Sequence, residues 1–148
     1  MEMKKEGLVI TTNVSSLKKL KCDQIWLIAR AGKEIPGTLR VRELAPSKQL
    51  FQRYINEWRF KDPEEWWHLY REQFYNELNK EEKLKPLRYL WKLVKSGETI
   101  ALVCFCRDYR YCHRSLVGDF LRNAGLVVKE FSSKESSSIS KYEQISLF

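Results

Sequence analysis

The sequence predicts an α/β domain in which helices cover the faces of a small, mostly parallel sheet. Short apolar runs alternate along the chain with segments whose apolar residues recur at helical spacing, an order typical of parallel sheets. The runs are apolar at consecutive positions, as expected of strands that are buried on both faces. The chain has 148 residues, the size of one domain, and we expect this domain to span residues 1–131.

Each predicted strand is a short apolar run bounded by polar or turn-forming residues. The first two cover residues 7–12 (GLVITT) and 24–29 (QIWLIA), and a turn or two of helix is expected between them. The later two cover residues 98–105 (ETIALVCF) and 126–131 (LVVKEF). Residues 30–45 contain glycines and a proline and therefore predict mostly loop.

Four helices are predicted from apolar spacing and from the residues that start and stop them. Apolar positions between Leu50 and Trp58 follow Ser47, whose hydroxyl can cap a helix. A second helix begins at Asp62-Pro63 and continues to about Asn79, because Asp is a capping residue and Pro favours the first helical position. The other two helices are predicted over residues 84–95 and 112–123.

Composition and charge narrow the class of protein. Aromatic residues make up 13% of the chain, and this supply of large apolar side chains excludes a disordered or fibrous protein. Lys and Arg number 27 against 19 Asp and Glu, a net charge of +8 that predicts weak binding to nucleic acid. No apolar run approaches the roughly 18 residues of a membrane span, so we expect a cytoplasmic protein with no membrane partner.

Three of the four cysteines fall within residues 104–112, between a predicted strand and a predicted helix. In the cytoplasm such cysteines are thiols, and the loops after parallel strands hold ligands. We predict Cys112 and His113 as catalytic residues, because a thiol at a helix N-terminus has a lowered pKa. The arginines of the same loop are predicted to bind an anion together with the helix amides; they are Arg107, Arg110 and Arg114.

Other interpretations of this loop stay open. The spacing from Cys104 to Arg110 fits the Cys-x5-Arg pattern of tyrosine phosphatases, but the glycines that let amides converge on phosphate are absent. No cofactor is predicted, although zinc is possible with Cys106, Cys112 and His113 as ligands and with Cys104 in the core. The remaining interpretation is purely structural: the cysteines pack in the core and the arginines face the solvent.

The loop and the following helix, CFCRDYRYCHRSLVGDFL at residues 104–121, resemble the signature of the domain of unknown function 488 family. Arg30 after IWLIA, the tetrad LAPS at residues 44–47 and the pattern Trp67-x2-Tyr70-x3-Phe74-x3-Leu78 are also similar to that family, including its YeaO-like branch. The resemblance spans roughly residues 7–130 and implies a compact α/β domain whose activity is unassigned.

The resemblance also implies which residues form the site. The positions that match the family signature are Arg30, Cys104, Cys112, His113 and Arg114, and Arg30 joins the predicted anion ligands on this ground. Many relatives carry Glu two residues after the first cysteine, where this chain has Cys106. An acid or base role inherited from that Glu is therefore not expected here.

The last residues carry a separate signal. Residues 132–143 are rich in Ser and predict a flexible linker. The final QISLF, residues 144–148, is similar to the pentapeptide by which bacterial polymerases and repair proteins bind the sliding clamp. In such a peptide Gln144 fixes the orientation by hydrogen bonds, while Leu147 and Phe148 fill an apolar pocket. The alternative is that the tail packs on its own domain.

These signals predict a DNA-transaction protein, associated with repair or replication and recruited to the sliding clamp by QISLF. Its Cys/His/Arg loop would act on nucleic acid or nucleotide. Two other functions remain open. The protein is either a cysteine-dependent enzyme for a small phosphorylated or sulfur-containing substrate or a noncatalytic phosphate-binding module, and the sequence leaves open whether any bond is made or broken.

Overall fold

The structure, a computed structural model, describes residues 5–132. The candidate clamp peptide and all but the first residue of the predicted linker lie outside the described residues. The described chain forms one five-stranded, all-parallel sheet with the strand order β3-β2-β4-β1-β5, so the predicted α/β class is confirmed. The strands are β1 (Val9–Asn13), β2 (Gln24–Leu27), β3 (Leu39–Arg40), β4 (Ile100–Cys104) and β5 (Val128–Glu130).

The strand β4 occupies the centre of the sheet. Its register shows which strand ends lie beside its own. Its last residue, Cys104, pairs with Asn13 at the end of β1, and Val103 pairs with Leu27 at the end of β2. The carboxyl ends of these three strands therefore lie together at one edge of the sheet. In parallel sheets that edge is where ligands bind.

The first two helices begin at the capping residues that the sequence predicted. They are α1 (Lys48–Arg53), α2 (Pro63–Leu78), α3 (Glu81–Lys95) and α4 (His113–Asn123). The side chain of Ser47 caps α1 by accepting from the amide of Leu50, and that of Asp62 caps α2. Within residues 5–132 no helix has the length and apolar character needed to cross a membrane.

Two local predictions need correction. The third helix begins at Glu81 rather than at residue 84. The sequence did not indicate this start, because the residue before the helix, Lys80, has no side chain that caps it. The predicted loop 30–45 contains the two-residue strand β3, where Leu39 pairs with Trp26 of β2. This strand depends on a partner distant in sequence, so the local glycines and proline obscured it.

The two faces of the sheet are covered unequally, and this decides where the side chains of β4 point. Ile100, Leu102 and Cys104 belong to the larger core, which contains the residues of the four helices. Ala101 and Val103 face a smaller cluster that packs against the 3-10 helix Val14–Lys19. Cys104 therefore lies on the helical side of the sheet, at the end of the central strand.

Candidate functional site

A pocket of about 310 Å³ opens at the carboxyl edge of the sheet, beside the ends of β2 and β4 and the start of α4. Much of its wall is aromatic or apolar, formed by Pro46, Phe51, Tyr54, Tyr70, Phe105 and Tyr111. Its polar lining comes from Arg30, His113 and the three cysteines of the loop. Apolar pockets with a few convergent polar groups are the usual form of small-molecule sites.

The three cysteines form a cluster of free thiols, which we call the thiol cluster: Cys104, Cys106 and Cys112. Their sulfur atoms all lie within 4.8 Å of one another, and the sulfurs of Cys104 and Cys112 are 3.1 Å apart. Cys104 ends β4, Cys112 is the residue before α4, and Cys106 lies on the loop between them. The fold thus brings together the thiols that the sequence predicted at a site.

Arg114 connects the thiol cluster to the rest of the sheet. Its side chain is only 1% exposed, and its Nη1 donates to the sulfur of Cys104 at 3.2 Å and to the carbonyl of Cys106 at 2.7 Å. Its Nε and Nη2 donate to the two carboxylate oxygens of Glu130 at 3.1 and 2.8 Å. Glu130 also accepts from the hydroxyl of Thr11 at 2.7 Å. The carboxylate of Glu130 therefore balances the charge of the guanidinium on one side. On the other side, the guanidinium directs a charged donor at the thiols.

These contacts favour the ionised form of Cys104. Hydrogen bonds from the Cys106 and Cys112 thiols lower the pKa of Cys104 well below its ordinary value, and the charge of Arg114 acts in the same direction. The hydrogen bond to Cys104 raises the pKa of Cys106 to about 12. Cys104 is therefore the thiol of the cluster that ionises most readily, and Cys106 holds its proton more tightly.

The expectation that Cys112 carries the lowered pKa is wrong. Burial raises the pKa of the Cys112 thiol well above its ordinary value, and the neighbouring Cys104 and Cys106 raise it further. Its position before the first turn of α4 does offset part of this cost, but the side chain is 1% exposed. The sulfur of Cys112 lies 3.1 Å from that of Cys104, and its raised pKa favours the protonated thiol.

His113 is held in place by the backbone of the neighbouring strand segment. Its Nε2 lies 2.6 Å from the carbonyl oxygen of Ile28, and a carbonyl only accepts, so Nε2 carries the proton of this contact. Its Nδ1 lies 3.8 Å from the sulfur of Cys112, and its ring packs against Phe74. The histidine thus lines the pocket with a fixed ring orientation.

The four arginines predicted to bind an anion have different surroundings. Arg30 lines the pocket, with its Nε donating to the carbonyl of Pro46, whereas Arg114 is engaged by Glu130 and the thiols. Arg110 is exposed and forms an ion pair with Asp108. Arg107 is exposed and lines a separate, more polar hollow of about 680 Å³. Only Arg30 and Arg114 therefore approach the thiol cluster.

The thiol cluster could also hold a metal ion, but with a different ligand set from the one predicted. The sulfurs close enough to share an ion belong to Cys104, Cys106 and Cys112, whereas His113 is turned to the Ile28 carbonyl. The guanidinium of Arg114 lies 3.2 Å from the sulfur of Cys104. A fixed positive charge at that distance repels a second cation, so these residues suit a bare thiolate better than zinc.

The roles of two residues of the site were not identified from the sequence. The family resemblance placed Cys104 among the site positions, whereas the residue pattern assigned it to the core. Its place at the end of a strand, on the face of Ile100 and Leu102, marks it as a residue at the functional edge. Glu130 is a carboxylate within an apolar run, which is itself a signal of a buried partner. Its partner Arg114 could not be identified without the fold.

Comparison with known proteins gives one match. The sequence model of the family DUF488-N3a, described as the active DUF488-N3 subclade, matches residues 9–125. Searches of curated proteins and of solved structures found no match to the chain. The matched segment contains the thiol cluster, His113 and Arg114 and ends before Glu130.

Proposed function

This chain belongs to the DUF488-N3a family, and from that membership and the geometry of its site we propose that it is a cysteine-dependent enzyme. Cys104 is the nucleophile, and the substrate is a small electrophile that enters the apolar pocket. One observation carries the proposal: Cys104 lines the pocket, and its sulfur receives a hydrogen bond from Arg114 and lies 3.1 Å from the sulfur of Cys112. The description of the family as an active subclade agrees with it.

The arrangement has the features that make a cysteine nucleophilic. A thiolate attacks far faster than a thiol, and a lowered pKa keeps Cys104 in that form at neutral pH. Cys104 is 1% exposed, so a negative charge on its sulfur is stabilised by fixed donors rather than by solvent. The pocket volume of about 310 Å³ lies at the lower end of the range for small-molecule sites.

The neighbouring Cys106 can serve as the proton donor and acceptor. A lone pair of the Cys104 thiolate forms a bond to the electrophilic carbon, and the leaving group departs with its bonding electrons and takes the thiol proton of Cys106. The negative charge thereby passes from Cys104 to Cys106. Water then attacks the same carbon and gives a proton to the Cys106 thiolate. The bond between this carbon and the Cys104 sulfur breaks, and Cys104 leaves as the thiolate. The net charge of the cluster stays constant near Arg114 throughout.

Labelling with iodoacetamide, mapped by mass spectrometry, tests the nucleophile. Between about pH 6 and 8 we expect the labelling rate of Cys104 to rise less steeply than that of Cys22, because its lowered pKa keeps more of it ionised. Burial raises the pKa of Cys22, so its labelling should rise about tenfold per pH unit over the same range. Cys104→Ser should abolish the fast reaction and Cys22→Ser should leave it intact. Fast labelling of Cys112 instead, or a Cys104 rate that follows that of Cys22, would contradict the proposal.

A second candidate function rests on charge and on the tail. We propose that the protein acts in DNA transactions, because the chain carries a net charge of +8 and ends in QISLF. The enzyme site would then act on a nucleotide or on nucleic acid. Exposed Arg107 and Arg110 are the loop residues suited to contact a phosphate backbone.

Weak, salt-dependent binding to nucleic acid is expected from this second candidate. Replacement of both Arg107 and Arg110 by Ala should weaken binding several-fold, because each phosphate contact adds to the release of counterions. Fluorescence anisotropy with a labelled oligonucleotide at several salt concentrations measures the effect. Arg88→Ala on α3 removes another exposed, ion-paired arginine and should change little. An absence of salt-sensitive binding at low ionic strength would exclude nucleic acid as the partner.

Binding of the tail to a bacterial sliding clamp is measured separately by titration calorimetry. We expect a dissociation constant of about micromolar, since the ordering of a short peptide offsets much of the contact energy. Replacement of Leu147 and Phe148 by Ala should remove the interaction, and Gln144→Ala should weaken it. Ser146→Ala is the matched control, with thermal unfolding as the control for folding. Equal heats from the double variant and the wild type would refute recruitment to the clamp.

A further inference from the structure

A second hollow, which we call the basic hollow, adjoins the thiol pocket. It has a volume of about 420 Å³ and is lined only by charged residues: Arg30, Arg40, Arg42, Glu43, Glu82 and Lys83. Arg30 lines both the basic hollow and the thiol pocket. The two spaces therefore meet at one side chain.

Lys83 is the least satisfied of these charges. The residue is 6% exposed, and the one hydrogen bond of its Nζ is a long one of 3.5 Å to the carbonyl of Ala45. It forms no ion pair with any residue of the described chain. Burial has the largest effect on the pKa of Lys83 and lowers it, although the carboxylates of Glu77, Glu82 and Glu43 lie near enough to raise it. Of these carboxylates, that of Glu77 already accepts from the amide and hydroxyl of Ser47.

The two arginines beside Lys83 also have unused donors. Arg30 donates through Nε to the Pro46 carbonyl, and its two terminal nitrogens make no hydrogen bond to residues 5–132. Arg42 is exposed and makes one hydrogen bond, from Nε to the carbonyl of Arg30 at 3.5 Å. Arg40 differs, because its terminal nitrogens donate to four backbone carbonyls and its Nε pairs with Glu34. Arg40 is therefore structural, whereas Arg30, Arg42 and Lys83 offer free donors.

We propose that Arg30, Arg42 and Lys83 form an oxyanion subsite for the substrate of the thiol pocket, and that the substrate carries a phosphate group. This inference rests on the proposed function, since it assumes that the reacting part of the substrate lies against Cys104. Arg30 sits at the junction and holds the phosphate where the two spaces meet. The apolar part of the substrate then lies against Tyr54 and Phe51.

Phosphate fits this subsite better than carboxylate. Two guanidinium forks and one ammonium present more donors than the two oxygens of a carboxylate can accept, whereas a phosphate has three terminal oxygens and close to two charges. Arg is the residue best suited to bidentate contact with phosphate, and Lys adds a point charge. The exposed Glu43 and Glu82 form no ion pair with these cations among the described residues. Both carboxylates lie near enough to Lys83 to raise its pKa, but neither takes up its hydrogen-bond donors.

Binding of phenyl phosphate, measured by titration calorimetry, tests the subsite without any reaction. The wild type should bind phenyl phosphate more tightly than inorganic phosphate and should not bind phenol measurably, because ring and anion occupy adjoining spaces. Lys83→Met should weaken binding at least about tenfold, the loss expected for one charge-assisted hydrogen bond. Lys85→Met is the matched control, since Lys85 is an exposed lysine of the same helix.

Further variants control for a loss of folding. They also distinguish the oxyanion subsite from the proposed nucleophile, Cys104. Arg42→Gln changes an exposed side chain and should weaken binding severalfold while the thermal unfolding temperature stays unchanged. Cys22→Ser should bind phenyl phosphate like the wild type, because Cys22 lines neither the thiol pocket nor the basic hollow. Equal affinity of the wild type and Arg42→Gln would overturn the subsite, and equal affinity for benzoate would overturn phosphate. Slow labelling of Cys104 beside intact, Arg42-dependent binding would instead reject the nucleophile alone.

Discussion

The buried contact between Arg114 and Glu130 is the interaction on which the site depends. It joins α4 to β5, and the hydroxyl of Thr11 on Glu130 adds β1 to the same network. A buried guanidinium loses several kcal/mol of hydration, so it needs a well-placed carboxylate to remain there. Because Glu130 engages Nε and Nη2, the remaining nitrogen is left to face Cys104 and the Cys106 carbonyl. The ion pair therefore orients the donor that faces the thiols.

The sizes of the competing effects favour a charge on Cys104 over one on Cys112. Both side chains are 1% exposed, so the cost of removing a charge from water is similar for the two. The helix N-terminus favours a charge on Cys112 by only about 0.3–1 kcal/mol. Hydrogen bonds to a charged group contribute about 1.5–3 kcal/mol each, and Cys104 receives them from two thiols and from Arg114. Cys112 lies at the positive end of the α4 dipole, but its sulfur is 3.7 Å from Nη1 of Arg114, farther than the sulfur of Cys104. In this chain direct donors outweigh the dipole, and the accessible thiol of Cys106 supplies the proton.

The sequence predicted local features well and the contacts of the site less well. Ser47 and Asp62 marked helix starts, because caps act on amides two or three residues away, and the apolar run to Cys104 marked the central strand. The strand β3, the role of Cys104 and the partner of Arg114 depend on pairs brought together only by the fold, such as Thr11 with Glu130. Nothing in the sequence marks Lys83 as buried, since its ammonium contacts the carbonyl of Ala45, a residue distant along the chain. The Ser47 to Glu77 contact is another long-range pair of this kind.

A titration of thiolate absorbance in the ultraviolet tests the central claim most directly, namely that Arg114 and two thiols hold Cys104 as a thiolate. The wild type and Cys22→Ser should both show one thiolate that persists well below the ordinary cysteine pKa of about 8.5. Cys104→Ser should lose this thiolate, and Glu130→Gln should change the pH at which it is protonated by releasing the guanidinium. A low-pH thiolate that survives in Cys104→Ser, or a wild type whose thiols all titrate at or above the ordinary value, would contradict the account.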